Sequence, residues 1–451
     1  MRRVTGFSEY RRQTLHVTMA SFALLLRVLT WWQAALCAVA AFLFNLLVLP
    51  RIGGAALNRP GDNARGYPLG ILFYPLSVLL LILAFPRRLD IVAAAWGILA
   101  FGDGAATIVG TRFKSRALPW NPDKSVGGSM AFLVAGGLAG AGLCLWTRPA
   151  IVPLPPLAFA LGAPVLAALA AAGAESMRIR LDDNISVPIA AAIVLGGLAL
   201  VDGPSLEAAG AWLPRALLLA ALVNVPIATL GWRAGSVTVS GATVGALIGI
   251  AVFAFAGWSG WVLLFSSFLA ATVSTRLGLR RKSVLGIAEE RGGRRGPANA
   301  IANTGLAAFA AILAVVSPHR DGALLVMVTA LVAGASDTVA SEIGKAWGTR
   351  TYLFPTFTRV RPGTPGAVSL EGTGAGLVSA LALSALALAL GLIKGHAVWY
   401  ATIGATVGSF IESSLGATLE SSGTLDNHTL NFINTALSAA CAVALAWLVA
   451  R

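Results

Sequence analysis

Charge is scarce in this chain. Of its 451 residues only 12% are Asp, Glu, Lys or Arg, against 57% that are apolar, and Gly and Ala fill much of the remainder. No stretch is polar enough to stand as a separate water-soluble domain, so the composition is that of an integral membrane protein. Cysteine is scarcer still. Cys37, Cys144 and Cys441 all lie in apolar segments without ligand-like spacing, which excludes a disulfide framework and a zinc site and leaves packing as their role. The net charge of +14 does not indicate nucleic acid either, because the basic residues form no patch with interleaved aromatics and fall instead in alternate loops.

What the chain has in abundance is apolar runs. Stretches of roughly 17 to 22 residues recur along its whole length, each able to cross a hydrocarbon core about 30 Å thick. They predict an all-α polytopic membrane protein with about fifteen transmembrane helices. Separate spans are expected near 14–30, 68–86, 185–202, 236–256, 258–275 and 397–417, among others. With the N-terminus in the cytosol, that side receives Arg2, Arg3, Arg11 and Arg12. It also receives Arg112 to Lys124, the cluster from Arg276 to Arg295, then Lys345, Arg350, Arg359 and Arg361, and so most of the 33 Lys and Arg. Only a basic stub, residues 1–13, precedes the first run. It is short for a transit peptide and has no obvious cleavage site, so a bacterial inner membrane is the expected address.

One polar pattern occurs twice. The first half contains Asp103-x-x-Ala106-x-x-x-Gly110, the string KSVGGS from Lys124 to Ser129, Glu175-Ser176 and Asp183-Asn184. The second contains Asp337-x-x-Ala340-x-x-x-Gly344, VSLEGT from Val368 to Thr373, Glu412-Ser413 and Asp426-Asn427, in the same order. A weaker match links Glu9, Arg11, Arg12 and His16 to Arg294, Arg295, Asn299 and Asn303. The order predicts two parallel repeats, residues 1–205 and 206–451, with the boundary in the loop DGPSLEAAG. Parallel repeats put both polar clusters on the cytosolic side, whereas alternating-access transporters more often use inverted repeats meeting at the midplane.

An acid near the bilayer centre costs roughly 2.5 to 3.5 kcal/mol on insertion scales, which makes intramembrane acids functional candidates. Here they are Asp103, Glu175, Asp337, Glu342 and Glu412; the alternative is that they are hydrogen-bonded packing residues. Positions i, i+3 and i+7 share a helix face. The small residues beside Asp103 and Asp337 therefore leave room for a ligand or for close helix approach. Asp183-Asn184 and Asp426-Asn427 offer hard oxygen ligands at loop-to-helix boundaries, or cap the helices that follow. In KSVGGS, the Lys124 cation, the Ser125 and Ser129 hydroxyls and Gly128 precede a helix N-terminus suited to phosphate. In the second half Ser369 and Gly372 repeat that string, but Val368 replaces Lys124 and Glu371 replaces Gly127. Arg359 and Arg361 are expected to supply the missing charge. Together these residues describe a site for Mg2+ and a nucleoside triphosphate. His16 is either part of it or an interfacial residue.

FGDGAATIVGTRF, LPWNPDKSVGGSMAF and ESMRIRLDDNISVP closely resemble the phytol kinase and dolichol kinase family over residues 1 to 202. RRGPANAIANTG, ASDTVASEIG, RVRPGTPGAVSLEGT and LDNHTLNFINT are similar to the phytyl-phosphate kinase family from about 236 to 450. The resemblance implies a fusion of two consecutive steps. The first half would phosphorylate phytol or a similar isoprenoid alcohol from CTP, and the second would convert the monophosphate to the diphosphate. It further implies that Asp103, Glu175, Asp183 and Asn184 hold the metal and nucleotide in the first half, with Lys124 and Ser125 on phosphate. In the second half Asp337, Glu371, Glu412, Asp426 and Asn427 would serve, with Arg359 and Arg361 on phosphate. Membrane lipids are expected partners, and a homo-oligomer is compatible with the sequence. The rival enzyme is a cytidylyltransferase making a CDP-lipid, whose long acidic-glycine signature near the C-terminus is absent here; a lipid or isoprenoid transporter is the non-enzyme alternative.

Overall fold

The structure is a computed structural model, and it describes residues 14, 16–51, 69–113, 115–177, 180–287 and 294–450. Glu9, Arg11 and Arg12 lie outside the described residues. The chain is mostly helical and divides into two compact units, Met1–Ala199 and Leu200–Arg451.

In the first unit α1 (Trp31–Leu43), α2 (Leu69–Ala84) and α3 (Leu89–Gly97) lead to α4 (Asp103–Arg112), and a π-helical turn, Ile98–Gly102, joins α3 to α4. A hairpin of β1 (Ala117–Leu118) and β2 (Asn121–Ser125) follows, then α5 (Val126–Thr147), α6 (Leu157–Ser176) and α7 (Asp183–Ala199). The core is alanine-rich: Val92, Ala93, Ala94 and Ala95 of α3 are all 0% exposed. Small side chains let helices approach in a setting where lipid contact gives apolar surface no reason to hide. The single buried acid at the start of α3, Asp90, is held by Arg88 through two hydrogen bonds of 2.9 Å.

The second unit begins with α8 (Gly203–Gly210), α9 (Leu213–Arg233), α10 (Val239–Arg276) and the short α11 (Leu279–Val284). It continues with α12 (Pro297–Val316) and α13 (Arg320–Trp347). A three-stranded antiparallel sheet comes next, made of β3 (Thr351–Leu353), β4 (Thr358–Arg359) and β5 (Ala367–Ser369) in the order β4-β3-β5. Then come α14 (Leu370–Ala389), α15 (Ala397–Leu415) and α16 (Asn427–Val449). The centre is α13, whose Met327, Val328, Ala330, Val332 and Ala333 are 0% exposed.

Two expectations change. Among the described residues ten helices, or up to eleven, are long and apolar enough to cross a membrane, not about fifteen. The segments near 236–256 and 258–275 stand as the two arms of α10 and meet, as expected, at Gly257, where the backbone is non-helical with φ at +67° and the absence of a β-carbon allows the bend. The segment 14–30 yields a short 3-10 helix, Ala20–Arg27, and 68–86 yields only the 16 residues of α2. The second change is that the fold is not purely helical: each Asp-x-x-Ala-x-x-x-Gly helix is followed by a small β element that ends on the serine capping the next helix.

Candidate functional site

In the second unit Asp337, Glu342 and Lys345 all lie on α13. Its Ala340 and Gly344 line the cavity described below and also let α14 approach closely. A β-carbon on Gly372 would stand 2.5 Å from the Ala340 carbonyl oxygen and 3.1 Å from Gly344 Cα. Ser369, delivered by β5, caps α14 by accepting from the Gly372 amide at 3.1 Å. Ser409 of α15 donates to Asp337 Oδ1 at 2.8 Å, and one turn on, Glu412 brings its carboxyl against that of Asp337. Asn431, in the amide orientation that satisfies its hydrogen bonds, donates to Glu412 Oε1 at 2.9 Å. Glu412 Oε2 is buried and has no hydrogen-bond partner. Asp426 caps α16, accepting from the Thr429 amide at 2.8 Å.

The basic side of the site comes from the segment entering α12. Its backbone is pinned twice: the Arg295 amide donates to Ser236 O at 3.1 Å, and Arg295 O accepts from the Thr238 amide at 3.0 Å. Arg294 and Arg295 thereby stand on the wall of a cavity of about 720 Å³, a size suited to a small-molecule substrate. Lys345 is the third cation on that wall; Asp337, Glu412, Glu420 and Asp426 supply facing carboxyls. Glu342 also borders the cavity, but it is 1% exposed and held by Lys345 at 2.9 Å and by the fully buried Lys282.

In the first unit the β hairpin is anchored to the end of α6: Asn121 Nδ2 donates to Ser176 O at 3.1 Å and Trp120 Nε1 to Ser176 Oγ at 3.3 Å. That attachment brings Lys124 onto Glu175 and within 3.3 Å of Asp183. Burial works against the Lys124 charge, but Asp183, then Glu175 and Asp103, outweigh it and raise its pKa above the ordinary lysine value. Glu175 Oε2 and Ser129 Oγ are buried without hydrogen-bond partners. Ser125 caps α5, accepting from the Gly128 amide at 3.2 Å, and a β-carbon on Gly128 would lie 3.2 Å from Ala106 O.

The structure therefore gathers Asp103, Lys124, Glu175 and Asp183 in one unit. In the other it gathers Asp337, Ser369, Gly372, Glu412, Asp426 and Asn427. Three residues go elsewhere. Arg359 and Arg361 are exposed and do not line the cavity, and Glu371 turns to Thr349, accepting from its amide at 3.2 Å and its hydroxyl at 2.7 Å. In the Asp-Asn pairs the capping positions are Asp182 and Asp426, so Asp183 corresponds in helix position to Asn427. Asn184 is bonded to Asp182 Oδ1 at 2.8 Å and to Gly70 O at 3.3 Å. His16 packs edge-on against Tyr74 with ring centroids 4.3 Å apart. Sequence reasoning did not assign Lys282, Lys345, Ser409 or Asn431 to the site. It did meet Arg294, Arg295 and Asn299 in its weakest repeat match, and all three line the cavity.

Among the described residues no three His, Cys, Asp or Glu stand together as a metal cage. Mg2+ does not need one, because it binds through one or two carboxylates and keeps waters and substrate phosphates. The adjacent Asp337 and Glu412, with the unpartnered Glu412 Oε2, fit that limited requirement.

Comparison with known proteins bears on this same region. The family described as integral membrane protein DUF92 matches residues 222–439, which contain every residue lining the cavity. An uncharacterized membrane protein of Synechocystis sp. is 38% identical over 202 residues, 44% of this chain and 78% of that protein. The chain belongs to the DUF92 family of integral membrane proteins. Protein VTE6 of Arabidopsis thaliana is 33% identical over 236 residues, covering 50% of this DUF92 chain and 68% of the plant protein. A probable phytol kinase of Glycine max is 37% identical over 135 residues, 30% of this chain and 46% of its own length. The match thus spans less than half of that kinase. No solved structure matches this DUF92 protein.

Proposed function

We propose that this multi-pass membrane protein is an isoprenoid alcohol kinase that works in two stages, phosphorylating phytol or a similar prenol in the first unit and the resulting monophosphate in the second. The observation that carries the reading is the cavity of about 720 Å³ in the second unit, where Arg294, Arg295 and Lys345 face Asp337, Glu412 and Asp426 at the end of apolar helices. Cations for phosphate and carboxylates for a metal are what phosphoryl transfer requires of a protein, since positioning and charge stabilisation supply most of its catalysis. Similarity to the probable phytol kinase of Glycine max supports the same chemistry. The two units are read as a duplicated scaffold, because Ser125 with Gly128 and Ser369 with Gly372 make the same cap at the same place in the helix order.

In each unit the donor is CTP. The acceptor oxygen, a hydroxyl in the first step and a phosphate oxygen in the second, bonds to the γ-phosphorus as the bond to the β,γ-bridging oxygen breaks. CDP leaves, and in the first step the hydroxyl proton is released to water. Mg2+ would be held with the nucleotide by Asp103 and Asp183 in one unit and by Asp337 and Glu412 in the other, neutralising charge on the transferred group, with Glu175 and Asp426 beside them. Lys124 in one unit and Arg294, Arg295 and Lys345 in the other hold phosphate. The sites face the cytosol of a bacterial inner membrane, with the N-terminus inside.

The test is the purified full chain with phytol, Mg2+ and CTP labelled at the γ-position, with products resolved by mass spectrometry. Label on phytyl mono- and diphosphate is the expected result. Pyrophosphate release with a CDP-lipid product, or no reaction of the prenol, overturns the reading.

A further inference from the structure

A second cavity, of about 160 Å³, adjoins the polar one within the second unit, and the two share Arg295, Gly296 and Asn299. Its other walls are largely apolar and come chiefly from both arms of α10: Gly245 and Ile248 before the bend at Gly257, Trp261 and Phe265 after it. The aromatic wall is flat and fixed. Trp261 stacks on Phe265 with centroids 5.3 Å apart and planes 7° from parallel, and its Nε1 donates to the buried Asn224 at 2.9 Å. Packing alone does not account for the opening. Ser267 lines it at 4% exposure with a hydroxyl that has no hydrogen-bond partner, whereas buried hydroxyls are normally satisfied. A β-carbon on Gly245 or on Gly296 would meet no atom within 4 Å.

We propose that this slot seats the isoprene unit next to the phosphate of a prenyl monophosphate, with the phosphate lying at Arg295 in the adjoining cavity and the remaining tail passing into lipid. The proposal rests on the kinase reading for the identity of that ligand. Size selects one unit: an apolar cavity of about 150 Å³ holds a guest the size of benzene, so the slot fits a five-carbon unit and not a whole tail. The flat Trp261 face matches the planar trisubstituted alkene of an allylic prenyl group, and Arg295, whose guanidinium lies 5.8 Å from the Phe268 ring, stands where charge meets apolar wall.

The test uses the full chain in phosphatidylcholine nanodiscs with a prenyl monophosphate carrying a diazirine on its first isoprene unit, and maps the crosslinks by peptide mass spectrometry. Label is expected on the segment from Trp261 to Phe268, displaced by unlabelled phytyl monophosphate. Gly245→Leu, whose β-carbon would meet no atom within 4 Å, should reduce labelling and raise KM for the monophosphate roughly tenfold or more while kcat stays within about threefold. Ser267→Leu adds bulk from the other arm and should repeat the effect. If diphosphate forms but the label maps elsewhere, or if neither Leu variant changes KM, the slot assignment is overturned and the kinase reading survives. If no diphosphate forms but displaceable label lies in the slot, the kinase reading falls and the slot stands. Equal labelling by a diazirine phospholipid that prenyl phosphate does not displace overturns the slot.

Discussion

Lys282 illustrates how a single side chain is misread from sequence. It lies in the charged stretch between Arg276 and Arg295, where the sequence suggests a solvated cytosolic loop, yet it is 0% exposed. Its ammonium donates to Thr275 O at 2.8 Å and to Glu342, a residue 60 positions away that no local pattern connects to it. Removing one partner of a buried ion pair strands the other, so Lys282→Met should cost about 3–5 kcal/mol, seen as a lower unfolding temperature in detergent; an unchanged temperature would show that Lys345 alone suffices for Glu342. Arg359 and Arg361 stand away from the cavity for a related reason. They are near the VSLEGT string in sequence, whereas the cavity draws its cations from Arg294, Arg295 and Lys345, which the fold brings in from two other places. The acids were better marked, because a carboxyl inside an apolar run stands out wherever it falls. Asp103→Asn should stop phytol consumption, and Asp337→Asn should let monophosphate accumulate, both read by product mass spectrometry; normal diphosphate yield from both would refute the site. Lys124 adds a pH expectation. Its pKa lies above that of ordinary lysine, so the stabilisation from its charge is complete below the unfolded value of about 10.4 and is lost only as pH rises through the higher folded value. Lys124→Met should abolish the first phosphorylation, while any wild-type activity lost between about pH 8 and about pH 10 must come from another group.

Among elements, the apolar helices were legible and the β segments were not. Strands of two to five residues with polar and proline content, such as Asn121–Ser125, are too short for any alternation to register. The repeated small residues were legible as leaving room for a ligand or for close helix approach, and the fold supplies the distances of that approach. Gly372 is the tighter position: its β-carbon would be 2.5 Å from the Ala340 carbonyl oxygen, against 3.2 Å between Gly128 and Ala106. Overpacking at such a point typically costs about 1–3 kcal/mol. Gly372→Ala should therefore destabilise the protein by an amount in that range and Gly128→Ala by clearly less, as measured by detergent thermal unfolding; equal losses would contradict the difference in packing.

For the molecule as a whole, the division into Met1–Ala199 and Leu200–Arg451 has an experimental counterpart. The DUF92 match lies wholly inside the second unit. Residues 200–451 expressed alone should fold and convert phytyl monophosphate to the diphosphate without consuming phytol, and failure to do so would mean that the second activity needs the first unit. Hydropathy made the membrane class plain and placed a boundary between 256 and 258, where α10 breaks at Gly257, but it says nothing of the backbone geometry of that break. That elbow has leverage. Gly245 sits 12 residues along one arm, about 18 Å from the pivot at helical rise, so a rotation of about 5° at Gly257 would displace it by about 1.5 Å. One backbone torsion thus acts as a calibrating screw for the distance between Gly245 and Trp261, and evolution could retune the width there without altering any residue that a ligand touches.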